Sequence, residues 1–328
     1  MNLQPLVRTL DQLDHYPPSF EINPDREQAF LDLGRYLEAN IRSGQPFDLT
    51  KVLPNPLWQL FEERLHAALG RLKDSRPAPD TLRVHQWYSS GIVLDTGTQV
   101  LGFDIVPMRR LYGWEDRFDQ TGQLAEYLDA LFVTHRHQDH YDIDLVRACL
   151  KAGTPVYMPE RLARTWNGSP SLRSVVHNQQ WEMGDLRVHA RTGIHVWRES
   201  EDDLPVAVYE VRWPNDTAVV FGGDADYTKK LEKTDAVRVR AYFLPWRAPN
   251  ALYEEGDARQ VAPLHEAVQV ALDRLDPAVL FYVHCAELEH VYEGFPASFD
   301  MALDLKKRLP VSSELMFWGE WMDLPVSS

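Results

Sequence analysis

Apolar residues in the first eighty positions recur at helical spacing. Two helices are predicted, over Arg26–Ile41 and Pro56–Leu72, with no strand-like run between them. In the second, apolar side chains return every three or four residues and share one helical face. Those side chains are Leu57, Leu60, Phe61, Leu65, Ala68 and Leu69. Because such a stripe needs cover, we expect Met1–Asp80 to dock as a helical layer on the rest of the chain.

From Leu82 onward the pattern changes to short runs rich in β-branched and aromatic residues. The predicted strands are Leu82–Trp87, Gly91–Asp95, Val100–Val106, Ala130–Val133, Leu186–His189, Ala207–Val211 and Ala218–Phe221. A helix over Pro263–Leu275 and a strand over Val279–Val283 form an αβ unit. The chain is therefore predicted to be α/β. The polar, proline-bearing stretch 74–80 separates a helical extension (1–80) from a main domain (81–328).

Composition narrows the classes of function. Apolar residues make up 44% of the chain, yet no apolar run approaches the roughly 20 residues of a membrane span. The first residues lack the basic start and apolar centre of a signal peptide, so a soluble, cytoplasmic protein is expected. The net charge of −15 disfavours nucleic acid and anionic lipid, which favours a small-molecule substrate. Cys149 and Cys285 form no spacing motif, so neither a disulfide framework nor a thiolate zinc site is predicted.

The strongest chemical signal is the cluster His135, His137, Asp139 and His140, which directly follows an apolar run. Histidines two positions apart in an extended segment can converge on one cation, while Asp139 and His140 face a second cation. For a single histidine, an ordinary surface loop would be the better interpretation. Four ligand-type residues so close together favour a two-metal site, and imidazole with carboxylate suits zinc, manganese or iron.

This run resembles the H-x-H-x-D-H signature of the metallo-β-lactamase superfamily, and the resemblance extends over roughly residues 82–321. It implies a four-layer αββα fold and a metal-dependent hydrolase. Asp104 matches an early aspartate that orients a ligand histidine, with a simple turn carboxylate as the alternative. His195 best matches the next ligand motif, and His189 and His177 compete with it.

Two further motifs follow in the order that the resemblance requires. Asp224, after a strand and two glycines, matches a carboxylate that bridges two metals, although a Gly-Gly-Asp turn without chemistry is the alternative. His284 ends the last predicted strand and matches the final ligand, with His290 as the alternative. By resemblance, His135, His137 and His195 hold one metal and Asp139, His140 and His284 hold the other. Asp224 and a hydroxide bridge them.

The spacing of the motifs looks most like the branch that contains ascorbate-phosphate lactonases and N-acyl-phosphatidylethanolamine phospholipase D. There the first strand often leads into Gly-His, whereas here His85 lies upstream of the stretch 87–91. The resemblance implies hydrolysis of a small-molecule phosphodiester or a lactone or ester, with Asp139 and Asp224 as catalytic residues and zinc as the first choice of metal. The alternatives are a phospholipase-like or nucleic-acid phosphodiesterase and a non-catalytic binding protein. The oligomeric state is not predicted.

The loop 245–263 is predicted to control substrate choice. Trp246 and Tyr253 offer apolar surface, and Arg247 offers a planar fork suited to phosphate or carboxylate. His265, just after this loop, is predicted to donate a proton to the leaving group. An ordinary surface loop beside a helix start is the alternative interpretation.

Overall fold

A computed structural model describes most of the chain. The described residues are 2–44, 55–107, 116–166, 168–196, 204–229, 237–245 and 261–326, with the backbone alone for 55 and 261–264. Elements are numbered below in chain order within these ranges.

Three helices form the amino-terminal part: α1 (Gln4–His15), α2 (Pro24–Ile41) and α3 (Asn55–Asp74). Helix α2 begins two residues earlier than predicted because Asn23 caps it. The Asn23 Oδ1 accepts hydrogen bonds from the backbone N–H groups of Asp25 and Arg26, at 3.0 and 3.1 Å. Proline at the first helical position leaves no N–H group unsatisfied there.

The apolar faces of these helices are covered by the rest of the chain. The Phe30 ring of α2 lies 5.1 Å from the ring of Phe299, and the Phe61 ring of α3 lies 5.0 Å from that of Trp318. The side chains of both helices belong to the same continuous apolar cluster as the main domain. The helices thus form the layer expected from their stripes, while the division of the chain into two domains at residue 80 stays a prediction.

The first sheet has seven strands in the order β14-β1-β2-β3-β4-β5-β6. They are β1 (Thr81–Gln86), β2 (Ile92–Asp95), β3 (Val100–Phe103), β4 (Ala130–Phe132), β5 (Val156–Pro159), β6 (Leu172–Val175) and β14 (Trp321–Pro325). Strands β14 to β3 pair antiparallel, and β3 to β6 pair parallel.

The second sheet also has seven strands, in the order β13-β12-β11-β10-β9-β8-β7. They are β7 (Gln179–Met183), β8 (Leu186–Ile194), β9 (Pro205–Arg212), β10 (Thr217–Phe221), β11 (Arg238–Pro245), β12 (Val279–Val283) and β13 (Ser312–Leu315). Strands β10 to β13 pair parallel, and β7 to β10 pair antiparallel.

The two sheets face each other across a core of large apolar side chains. The Phe103 ring of the first sheet lies 5.1 Å from that of Phe221 and 6.1 Å from that of Tyr209, both in the second sheet. The outer faces carry a second apolar cluster that is shared with the helices. This arrangement confirms the predicted four-layer αββα fold with its amino-terminal helices.

Six further helices lie in the described part of residues 81–328. They are α4 (Gln120–Tyr127), α5 (Ile143–Ala152), α6 (Glu160–Ala163), α7 (Val261–Leu275), α8 (Leu288–Glu293) and α9 (Phe299–Arg308). Within the described ranges, every helix is too short or too polar to cross a membrane.

Candidate metal centre

The predicted ligands, and Asp104 behind them, all follow the carboxyl ends of strands. Asp104 follows β3, the signature loop follows β4, and His195, Asp224 and His284 follow β8, β10 and β12. Strands β3 and β4 are parallel, and β8, β10 and β12 run in one direction in the facing sheet. The strand ends therefore bring Asp104 and His284, which are 180 positions apart, to one edge of the fold.

Asp104 holds the start of the signature loop. The backbone N–H and the hydroxyl of Thr134 donate to the two Asp104 carboxylate oxygens at 2.7 and 2.6 Å. Gly223 packs against the same threonine, and a Cβ atom there would lie 2.4 Å from the Thr134 Oγ1. Gly223 also has a φ of +49°, which glycine adopts without strain. The glycine therefore lets the turn before Asp224 approach the loop closely.

The first ligand cluster consists of His135, His137, His195 and Asp224, whose candidate ligand atoms all lie within 4.8 Å of one another. The His195 Nε2 lies 3.4 Å from the Asp224 Oδ2. The His135 Nε2 is buried and has no hydrogen-bond partner within the described part of the chain. A buried nitrogen in this condition is costly unless an ion or water binds it, so the cluster fits a metal.

The second ligand cluster consists of Asp139, His140, Asp224 and His284, again within 4.8 Å. The His284 Nε2 lies 3.0 Å from the Asp224 Oδ1 and 3.6 Å from the Asp139 Oδ2. The His140 Nε2 lies 3.5 and 3.4 Å from the same two carboxylate oxygens. Asp224 is thus common to both clusters, with one oxygen towards each.

Two carboxylates behind the second cluster decide what it can bind. The His140 Nδ1 lies 2.6 Å from the Asp104 Oδ2, and the His284 Nδ1 lies 2.6 Å from the Glu287 Oε1. Because an ionised carboxylate can only accept a proton contact, each Nδ1 beside it carries a proton. The lone pair that each ring can offer to a metal is therefore at Nε2, once the proton there has left. Those Nε2 atoms lie 2.6 Å apart beside two carboxylates. Such a set of acceptors fits a cation.

Electrostatics differ between the two clusters. Burial lowers the pKa of His137 to about 4 and that of His135 well below its ordinary value. Burial also disfavours a charged ring in the second cluster, but the nearby carboxylates, Asp224 foremost, raise the pKa of His284 to about 9. They raise the pKa of His140 well above its ordinary value in the same way. A metal ion at the second cluster therefore displaces protons when it binds.

Glu287 is a buried part of the site that the sequence analysis missed. Its carboxylate accepts from the Ser89 hydroxyl, and its two oxygens contact the Nδ1 atoms of His284 and His290. The tight turn after β12 brings it there, with φ of +74° at His284 and +60° at Ala286. The available sequence signal is an acidic residue three positions after a ligand histidine.

The competing histidines lie outside both clusters. The His177 Nδ1 accepts a hydrogen bond from the Thr192 backbone N–H at 3.1 Å, and His189 lies within β8. His290 contacts Glu287 and is not among the clustered ligands. His85 is buried in β1. The structure thus brings together the seven residues that the resemblance implied as ligands, with Asp104 behind them.

The predicted substrate residues are not among the clustered ones. His265 lies in α7 with its Nε2 3.4 Å from the Asp304 carboxylate of α9, outside both ligand clusters. Trp246, Arg247 and Tyr253 lie outside the described residues. Their predicted roles stay predictions.

Two clefts border the metal centre. One, of about 330 Å³, is lined by Arg136, His137, Gln138, Asp139, Asp224 and His290. The other, of about 190 Å³, is lined by His135, Arg136 and Arg161 together with apolar side chains such as Leu162 and Leu204. Arg136 is exposed and lines both clefts.

The family model for the beta-lactamase superfamily domain matches residues 92–285, which is more than half of the chain. The chain belongs to this superfamily. The matched region contains every residue of both ligand clusters. Family and ligand geometry together place the protein in the class of metal-dependent hydrolases, with histidines and aspartates positioned to bind metal.

Solved structures with the same fold carry different chemistries. Igni18, a metallo hydrolase from the archaeon Ignicoccus hospitalis, matches with a TM-score of 0.53 and 14% identity over 74% of this chain and 98% of its own. An isothiocyanate hydrolase from Delia radicum gut bacteria gives 0.52 and 16%, over 74% and 99%. CmlA, a diiron beta-hydroxylase from Streptomyces venezuelae, gives 0.50 and 14%, over 76% of this chain and 55% of its own.

At these identities the likeness shows the fold alone. Comparison with curated proteins gives no match. The predicted lactonase and phospholipase D branch of the superfamily therefore stays a prediction.

Proposed function

We propose that this protein is a dinuclear metal-dependent hydrolase whose substrate is a small anionic phosphodiester. The observation that carries the proposal is the pair of ligand clusters joined by Asp224, which presents one carboxylate oxygen towards each cluster. A single structural metal would need only one closed set of ligands.

His135, His137 and His195 would hold one ion, Asp139, His140 and His284 the other, and Asp224 both. When bound, two such ions lower the pKa of water and stabilise negative charge on the group under attack. Zinc is the first choice for these ligands. Iron is the alternative to test, because imidazole and carboxylate accept either and CmlA is a diiron protein on this fold.

The chain's own residues supply orientation and charge. Asp104 and Glu287 fix the ring orientation and tautomer of His140 and His284, so that both Nε2 atoms face the site. Asp139 is 14% exposed at the cleft, which places one carboxylate where it can accept a proton from water or substrate.

Arg136 supports an anionic substrate. It lies between the ligands His135 and His137 in sequence and lines both clefts. Among the described residues its guanidinium has no ion-pair partner, so it can bind a phosphate with two parallel hydrogen bonds. Clefts of this size suit a small molecule, and the net charge of −15 argues against nucleic acid.

Hydrolysis of a lactone or ester is the second candidate. The smaller cleft supports it, because Leu162, Leu204 and Pro205 give that cleft an apolar lining next to His135. An acyl group would bury apolar surface there, whereas a phosphodiester with polar substituents would gain little from it.

A substrate panel tests the proposal and separates the two candidates. Metal-loaded protein is assayed on bis-p-nitrophenyl phosphate, p-nitrophenyl acetate and homoserine lactone, with and without chelator. We expect chelator-sensitive turnover of the phosphodiester. Arg136→Ala should raise KM for it about tenfold or more, the scale of a charge-assisted hydrogen bond, and leave KM for the neutral substrates unchanged.

Arg147→Ala is the matched control, because Arg147 is an exposed arginine whose partner is Asp144 on the same helix. It should change neither KM. Turnover of the ester or lactone alone would favour the second candidate. A fully metal-loaded protein that hydrolyses none of the three substrates would contradict the proposed function.

A further inference from the structure

A chain of three residues in direct side-chain contact leads from the second ligand cluster to the wall of the larger cleft. His284, Glu287 and His290 are spaced three residues apart and connect in that order. Glu287 is fully buried, whereas the side chain of His290 is 18% exposed. The two histidines therefore share one carboxylate from opposite sides, one as a ligand and the other at the cleft.

His290 lies where a substrate would bind. It lines the same cleft as His137, Asp139 and Asp224, three of the proposed metal ligands. Helix α8 sets its position, since the His290 carbonyl accepts from the backbone N–H groups of Gly294 and Phe295 at 3.1 and 2.9 Å. The edge of its ring also packs at 5.8 Å from the ring of Phe295. The helix end thus fixes the backbone of His290, and Phe295 and Glu287 contact its ring.

The contact with Glu287 fixes the chemistry of this ring. Because a carboxylate only accepts, the His290 Nδ1 donates its proton to Glu287. The Nε2 atom lies on the opposite side of the imidazole. With Nδ1 turned to the carboxylate, Nε2 is the ring atom left to exchange a proton with a molecule in the cleft.

We infer that His290, oriented by Glu287, is the catalytic residue that gives a proton to the leaving group; this inference rests on the proposed hydrolysis. The attacking water forms a bond to the phosphorus or acyl carbon, and the bond to the leaving oxygen breaks. That oxygen keeps the electron pair and takes the proton from the His290 Nε2. The proton lost by the attacking water restores the imidazolium, so water is the only co-reactant.

Leaving-group dependence tests the inference. Wild-type protein and His290→Ala, both zinc-loaded, are compared on methyl phenyl phosphate and methyl p-nitrophenyl phosphate, and on the matching phenyl and p-nitrophenyl acetates. A general acid typically contributes about 10²–10⁴-fold, and it matters most for a basic leaving group. We expect a loss of at least about 100-fold on the phenyl substrate of the pair that the protein hydrolyses. The loss on its p-nitrophenyl partner should be several-fold at most.

Two controls separate chemistry from structure. His290→Ala should keep the wild-type metal content by elemental analysis, because His290 is not among the clustered ligands. His177→Ala removes a histidine outside both clusters and should leave all four rates unchanged. An equal loss on both substrates of a pair would overturn the proton-donor role, as would no loss at all.

A second readout does not depend on turnover. Long-range proton–nitrogen NMR of the zinc-loaded protein should show the His290 Nδ1 protonated and hydrogen-bonded, and Glu287→Gln should abolish that signature. A His290 ring protonated at Nε2 alone would overturn the inference whatever the activity. If NMR supports the Glu287–His290 bond but wild-type protein hydrolyses neither pair, the proposed function has failed, and the proton-donor role fails with it.

Discussion

Two regions of this protein bury several charged groups, and they differ in whether those charges balance. In the first, Arg26 of α2 donates all five of its N–H groups to Glu314, Glu320 and two backbone carbonyls, at 2.7 to 3.2 Å. Lys306 completes this set by pairing with the other oxygen of Glu314. Donors and acceptors match, so nothing further has to bind there.

The metal centre has the opposite character. Its carboxylates and histidine Nε2 atoms are all potential metal ligands, and His140 and His284 turn their opposite ring nitrogens towards Asp104 and Glu287. Burial of charge alone therefore does not identify a site. Buried ligand atoms that converge within 4.8 Å of one another do.

The largest expected effect is that of Asp224→Ala. Because Asp224 belongs to both clusters, its loss should remove both ions and reduce hydrolysis to background. Elemental analysis and turnover measured on the same preparation check this. Asp273→Ala, an exposed aspartate on α7, should change neither. If Asp224→Ala retained two ions, Asp224 would not be needed to hold them, and the metal centre would not depend on a shared carboxylate.

In the first region, Arg26→Ala should lower the free energy of unfolding and leave the metal content unchanged. Removal of Arg26 from this buried ion-pair network leaves Glu320 without its cationic partner and Glu314 with Lys306 alone, which costs about 3–5 kcal/mol. Urea unfolding measures this loss. Arg35→Ala on the same helix removes an exposed pair with Asp32 and should cost less than about 1 kcal/mol. Metal loss from folded Arg26→Ala would show that the two regions are coupled.

Much of the fold could be predicted from periodicity. The αβ unit that ends in β12 and the apolar stripe of α3 were identified because their apolar residues face one core. Strands β6 and β14 were not identified, because most of their side chains are exposed or half-buried at sheet edges and show no apolar run. Edge strands are defined by their pairing partner, which a local pattern does not contain.

The candidate site was likewise predicted only in part. The ligands carry recognisable spacing, so all seven were named from the chain. The role of Glu287 was not, because it depends on left-handed backbone at His284 and Ala286 and on the approach of Ser89 from another strand end. Such contacts arise only in the folded chain.

A smaller effect is expected from Asp104→Asn. An asparagine cannot both keep its bonds to Thr134 and accept from the His140 Nδ1, so the ring loses its fixed orientation. Loss of such a supporting contact typically lowers metal affinity about 10–100-fold. Competition with a chromophoric chelator should show weaker binding of one ion only. Equal weakening of both ions would mean that Asp104 supports the whole loop rather than His140.

The smallest effect concerns His85, a buried group with no counter-charge. Burial lowers the pKa of His85 to about 3, and its ring nitrogens have no hydrogen-bond partner within the described residues. The folded pKa is below the ordinary 6.5, so protons favour the unfolded chain. Stability should therefore fall as pH drops below 6.5 towards 3, by about 1 kcal/mol over the first unit.

His85→Gln removes this contribution, because glutamine does not titrate. Between pH 6.5 and 5.5, the unfolding free energy of the wild-type protein should fall by about 1 kcal/mol more than that of His85→Gln. Equal losses in the two proteins would mean that a neighbouring group compensates the charge of the protonated His85 ring in the folded protein.

An anomalous difference map of a zinc-loaded crystal would show directly whether two ions share Asp224. We expect two peaks per chain, one among His135, His137 and His195 and the other among Asp139, His140 and His284, with Asp224 touching both. A single peak, or two peaks that do not share Asp224, in a crystal with these side chains well ordered would contradict this expectation.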